Sequence, residues 1–280
     1  MTETLSTRGE REPTGPASGR SWAARLRRFG LLFGLGTVGV AALLASTPAA
    51  TYEAAAEAAG LPVAVIVAVT AVQTLVLVAL AVAAGLYAAP RVGFRSHLLA
   101  RLSEGTPLGP AVRGFARPAL FGGVAVGALL LVADAFAPTP VDGTAGPTVT
   151  VGALLASLPM RVLYGGITEE ILLRWGVMSV LAFALFRTVG RGRDSLSPAL
   201  AWTAIVVASV LFGLGHLPAA MGVYGGLTTE VLAFVVGWNT LAGLVFGWLF
   251  WRHGLEAAIV AHALAHVVAV AVGVGLLAFA

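Results

Sequence analysis

A chain of 280 residues with 58% hydrophobic and only 11% charged side chains lies far below the roughly 25% charge of soluble domains, which excludes an ordinary soluble globular protein. Cysteine is absent, which excludes a disulfide framework, a thiolate metal site and a cysteine nucleophile. The net charge of +4 comes entirely from arginine, since there is no lysine; beside repeated apolar runs of about 20 residues it reads as membrane topology and not as nucleic-acid binding.

Residues Met1 to Arg28 are polar, rich in Gly, Pro, Ser and Thr, and end in Arg20, Arg25, Arg27 and Arg28. They read as a disordered basic tail, retained because no short apolar core with a cleavage site follows. No lipidation motif stands at either end. Phe29 to Ala49 is the first expected span. Its Gly34-Leu35-Gly36-Thr37-Val38-Gly39 matches a dinucleotide-binding pattern, but no strand precedes it, so the glycines read as helix packing. Thr51 to Gly60 is a short connector with Glu53 and Glu57, and the second span runs from about Leu61 to Ala89. Pro90 to Arg117 reads as the longest internal polar loop, the third span as Pro118 to Ala137, and Pro138 to Thr150 as a turn-rich loop holding Asp142.

Val151 to Arg187 is apolar but too long for one straight crossing. Gly165-Gly166 marks the expected break, with a first segment, tilted or re-entrant, ending near Arg161. A new span is expected near Ile167, capped by Thr168. Further spans are expected at Pro198 to Leu217, Leu227 to Trp251 and Gly254 to Phe279. The whole is an all-α, polytopic membrane bundle of about seven helices. The basic tail (1–28), the N-terminal helices (29–150) and a core (151–280) are its three parts. The arginine-rich connections alternate along the chain, which by the positive-inside rule places the N-terminus in the cytoplasm.

The groups able to do chemistry lie in the last part. Thr168-Glu169-Glu170-Ile171-Leu172-Leu173-Arg174 puts three ionisable groups into an apolar run, where each costs about 2.5–3.5 kcal/mol at mid-depth. Glu170 and Arg174 are four apart and can pair on one helix face, leaving Glu169 about 100° away and free. Phe212 and His216 stand near the end of the fifth span. His262 and His266 share a face of the last, but Ala263 occupies the place of the glutamate of an HExxH zinc site. His97 and His253 read as solvated surface residues, and Asp134 as interfacial.

Glu169-Glu170-x-x-x-Arg174, Phe212-x-x-x-His216 and His262-x-x-x-polar stand in the order and helical setting of the CPBP family. These are CAAX prenyl endopeptidases and bacteriocin-processing enzymes of the ABI type. The stretch from Gly247-Trp248-Leu249-Phe250-Trp251-Arg252 through Leu255–Ile259 to His262 also resembles that family's last motif. The resemblance spans Val151 to the C-terminus. It departs from the family at His266, where asparagine is common.

This resemblance implies an intramembrane endopeptidase. Glu169 with His216 would activate water, His262 and His266 would stabilise the oxyanion, and Glu170 with Arg174 would hold the helix. The alternative arrangement binds zinc through Glu169, His216 and His262. The expected partners are the lipid bilayer and a membrane-associated peptide or protein, with no nucleic acid. The Ala/Val/Gly/Arg bias points to a multi-pass protein of a bacterial plasma membrane. Two other readings stay open: a non-catalytic bacteriocin-immunity or scaffold protein, and a small proton-coupled transporter.

Overall fold

The computed structural model describes residues 22–141, 143 and 149–279. Asp142 and most of the expected tail lie outside these residues. The helices are α1 (Trp22–Ser46), α2 (Ala49–Ala59), α3 (Val63–Ala88), α4 (His97–Glu104), α5 (Leu108–Ala135), α6 (Val151–Met160), α7 (Ser179–Thr188), α8 (Pro198–Gly215), α9 (Leu217–Tyr224), α10 (Thr229–His253) and α11 (Leu255–Phe279). Two π-helical segments, Arg161–Glu169 and Ile171–Met178, join α6 to α7. No strand occurs among the described residues.

Among the described residues, seven helices are long and apolar enough to cross a membrane. Their number agrees with the sequence, and several ends differ. Helix α1 begins at Trp22, so the arginines at its start are helical. The stretch expected as a connector is the alanine-rich α2, closed by Gly60 in the left-handed conformation, as its high helix propensity allows. The expected loop at 90–117 contains α4 and the first turns of α5.

The largest difference is at 151–188. The chain does not break at Gly165-Gly166. It runs as one 38-residue helix, Val151–Thr188, which at 1.5 Å per residue would reach about 57 Å if wholly α. The turns in its middle are widened. Thr168 does not cap a new helix; its hydroxyl donates to Gly36 O at 2.9 Å on α1. Ser179 Oγ donates to Arg174 O, five residues back, at 3.2 Å. Such π turns are rare and recur at functional sites.

Helix α11 packs on α5 and on the first π segment, α10 on α8, and α3 on the second π segment. The core between them is filled by Trp175, Phe246, Phe250, Leu249, Ile205 and Met178, all buried. On the other side of α3, Val65, Val69, Val72, Val76 and Leu80 form an exposed stripe at helical spacing, the face that lipid would cover.

The glycine pattern of α1 is a packing surface, as expected, though unevenly. A Cβ at Gly36 would lie 2.6 Å from Val78 Cγ1, and one at Gly39 would run into Thr168 Oγ1 and Leu163 O; one at Gly34 would meet nothing. Gly39→Val should therefore destabilise the protein by about 3 kcal/mol, while Gly34→Val should change it little. Thermal unfolding of the purified pair in one detergent measures the difference.

Candidate active site

The long helix supplies two neighbouring carboxylates. Glu170 is fully buried, as is Arg174 one turn on. Arg174 Nη1 donates to Glu170 Oε1 at 2.9 Å, the i,i+4 pair expected from the sequence. The guanidinium is fixed from α10 and α8 as well. Its Nη2 donates to Gly243 O at 3.3 Å. Its carbon lies 4.6 Å from the ring centre of Phe212 and 5.4 Å from that of Phe246, a cation–π seat that suits a charge held away from water.

Helix α11 brings its histidines to the same place. His262 Nδ1 lies 2.8 Å from Glu170 Oε1. Glu170 Oε1 already accepts from Arg174 Nη1 and accepts here as well, so Nδ1 carries the proton. The neutral ring then presents a bare Nε2, and this nitrogen stands 4.0 Å from Glu169 Oε2, too far for a direct hydrogen bond. Phe246 stacks on the His262 ring at 4.4 Å, and Phe212 meets it edge-on at 5.8 Å. Glu169 keeps 17% of its side-chain surface open, against 0% for Glu170. The two adjacent acids therefore differ: one is locked in an ion pair, the other is free and faces an imidazole.

His266 lies one turn beyond His262, with ring centres 5.0 Å apart. Its Nδ1 is buried without a hydrogen-bond partner among the described residues. A Cβ at Gly165 would lie 3.0 Å from His266 Nε2, and one at Gly166 would lie 2.8 Å from the Ala263 Cβ. The two glycines are thus not a hinge. They let α11 approach the long helix closely enough for its histidines to reach the glutamates.

His216 ends α8 and lies at the bend into α9. Its Nδ1 lies 2.8 Å from Phe212 O, and its ring meets Phe212 edge-on at 4.6 Å. A carbonyl only accepts, so this ring too has its proton on Nδ1. Gly213 sits against Val236 O of α10, as a close helix approach requires; Gly215 faces open space. Glu170 contacts Arg174 and His262, Glu169 faces His262 Nε2 at 4.0 Å, and among the described residues no hydrogen bond or ion pair joins Glu169 to His216. Among the described residues no three His, Asp or Glu side chains are grouped to hold a metal ion.

Phe246 and Gly243 on α10 complete the setting for Arg174 and His262. They carry no signal in the sequence, being an aromatic and a small residue in an ordinary apolar span. His97 and His253 are not free surface groups: His97 Nε2 lies 2.8 Å from His253 O, and both residues are half-buried. Beside them Glu256 accepts from Ser96 Oγ at 2.6 Å, from His97 N at 2.9 Å and from Leu98 N at 3.0 Å. A carboxylate from α11 thereby caps the first turn of α4. Asp134 is exposed near the end of α5.

No curated protein and no solved structure matches the chain. A family model does, over residues 151–268, under the description "Type II CAAX prenyl endopeptidase Rce1-like". That segment contains Glu169, Glu170, Arg174, His216, His262 and His266. Over residues 151–268 the chain is thus similar to the Rce1-like type II CAAX prenyl endopeptidases of the CPBP family.

Proposed function

We propose that the protein is an intramembrane endopeptidase that hydrolyses a peptide bond in a membrane-associated peptide or protein. The observation that carries this is the pairing of a free carboxylate, Glu169, with the bare Nε2 of an imidazole whose other nitrogen is tied to Glu170. One water, at ~2.8 Å from each, would donate one hydrogen to Glu169 Oε2 and the other to His262 Nε2, leaving an oxygen lone pair for the scissile carbonyl. Glu169 takes the proton as the carbonyl is attacked and returns it to the leaving amine. Glu170, neutralised by Arg174, fixes the tautomer of His262, as an orienting carboxylate does for a catalytic histidine.

The oxyanion falls to His266, whose Nδ1 has no hydrogen-bond partner among the described residues, a role worth about 2.7–4 kcal/mol for one donor in comparable sites. His216 stands at the bend between α8 and α9. The expectation had paired Glu169 with His216 and given the oxyanion to His262 and His266; the 4.0 Å separation of His262 Nε2 from Glu169 Oε2 favours His262 beside the water. Zinc held by Glu169, His216 and His262 would supply an acidified water instead. The described residues do not form that ligand group, so no step is routed through a metal. The arginine-rich connections favour a cytoplasmic N-terminus in a bacterial plasma membrane.

The test compares membrane peptides in cells carrying Glu169→Ala with those of the wild type. Uncleaved precursors should accumulate in the variant at unchanged levels of the protein. Identical peptide sets would remove the protease reading and leave the immunity or scaffold role. Proton-coupled uptake in vesicles would point to transport.

A further inference from the structure

Away from the carboxylates, the start of α1 and the end of α3 enclose a cavity of about 610 Å³. Three arginines line it, Arg25, Arg28 and Arg91, with the aromatic rings of Trp22 and Tyr87, and no carboxylate is among the lining residues. Arg91 lies over the Tyr87 ring at 3.7 Å from its centre and donates to the Tyr87 carbonyl, so its guanidinium is held in place. Arg28 Nε is buried without a hydrogen-bond partner among the described residues, although burial of such a donor unpaired is costly. Below the arginines the wall is apolar, formed by Phe29, Ala83 and Leu86.

We propose that this cavity binds the phosphate headgroup of an anionic phospholipid. The chemistry matches at three points. Guanidinium groups are planar forks that bind phosphate oxygens two at a time. Tryptophan and tyrosine favour the boundary between headgroups and hydrocarbon. The cavity opens where two spanning helices end, so a headgroup at the arginines leaves its acyl chains along the apolar faces of α1 and α3. The site would tie α1 to α3, and α1 in turn holds Thr168 beside the two glutamates. This inference does not depend on the reaction proposed above.

Native mass spectrometry of the full-length protein, titrated in a neutral detergent with phosphatidylglycerol or phosphatidylcholine, tests it. The wild type should retain phosphatidylglycerol preferentially. The double variant Arg28→Gln/Arg91→Gln should weaken that retention by about 30-fold, whereas Arg101→Gln/Arg113→Gln, with the same charge removed outside the cavity, should keep it. Should the first variant unfold, Arg25→Gln alone replaces it, with a loss of about fivefold expected. Equal retention of the two lipids, equal loss in both double variants, or displacement of the lipid by millimolar inorganic phosphate would overturn the proposal.

Discussion

Glu170→Ala is expected to lower the stability of the purified protein by about 3–5 kcal/mol, the usual result of removing one partner from a buried ion pair. The change strips Arg174 of its only carboxylate contact among the described residues while leaving the guanidinium buried. It also takes the acceptor from His262 Nδ1. The remaining hydrogen bond to Gly243 O and the faces of Phe212 and Phe246 cannot balance a full charge. Thermal unfolding in detergent reads the loss. The double change Glu170→Gln/Arg174→Met removes both charges together, so that no unpaired charge stays buried, and should recover most of the stability. A double variant as unstable as Glu170→Ala would show that the pair does not act as one unit.

Glu169→Gln should behave in the opposite way. Among the described residues Glu169 makes no direct hydrogen bond, and it faces His262 Nε2 at 4.0 Å. The isosteric amide should therefore leave the free energy of unfolding within about 0.5 kcal/mol of the wild type. Turnover of a membrane peptide by the reconstituted protein should nevertheless fall by about 10²–10⁴-fold, the usual share of a general base. Activity retained at wild-type level would remove Glu169 from that role. Two adjacent glutamates would thus divide fold and chemistry between them, one variant losing stability and the other only rate.

The spans were legible because an apolar run of bilayer length leaves little choice of structure. The Glu170–Arg174 pair was legible for a similar reason: a four-residue spacing on a helix is local geometry. What escaped the sequence depends on a second helix. Gly165-Gly166 reads as a breaker when taken alone, and only the presence of Ala263 and His266 opposite turns it into a contact surface. The role of Thr168 is decided by Gly36 O, 132 residues away. Nothing in the sequence around Glu256 names its partners, which lie near Ser96, about 160 residues earlier. Which nitrogen of His262 faces Glu169 follows from Glu170 and cannot be read from spacing.

The cap that Glu256 places on α4 also sets the height of His262 along its helix. One greasy cylinder beside others has little reason to prefer one vertical setting, because lipid and neighbour are equally oily. Glu256 supplies that reason. Its three oxygen contacts pin the base of α11 to the backbone of a separate segment. His262 then stands six residues above the pin, about 9 Å along the axis, level with the glutamates it must meet. A slip of one residue would turn its ring by about 100° and carry it out of line, so a bolt at the rim sets the alignment of the centre.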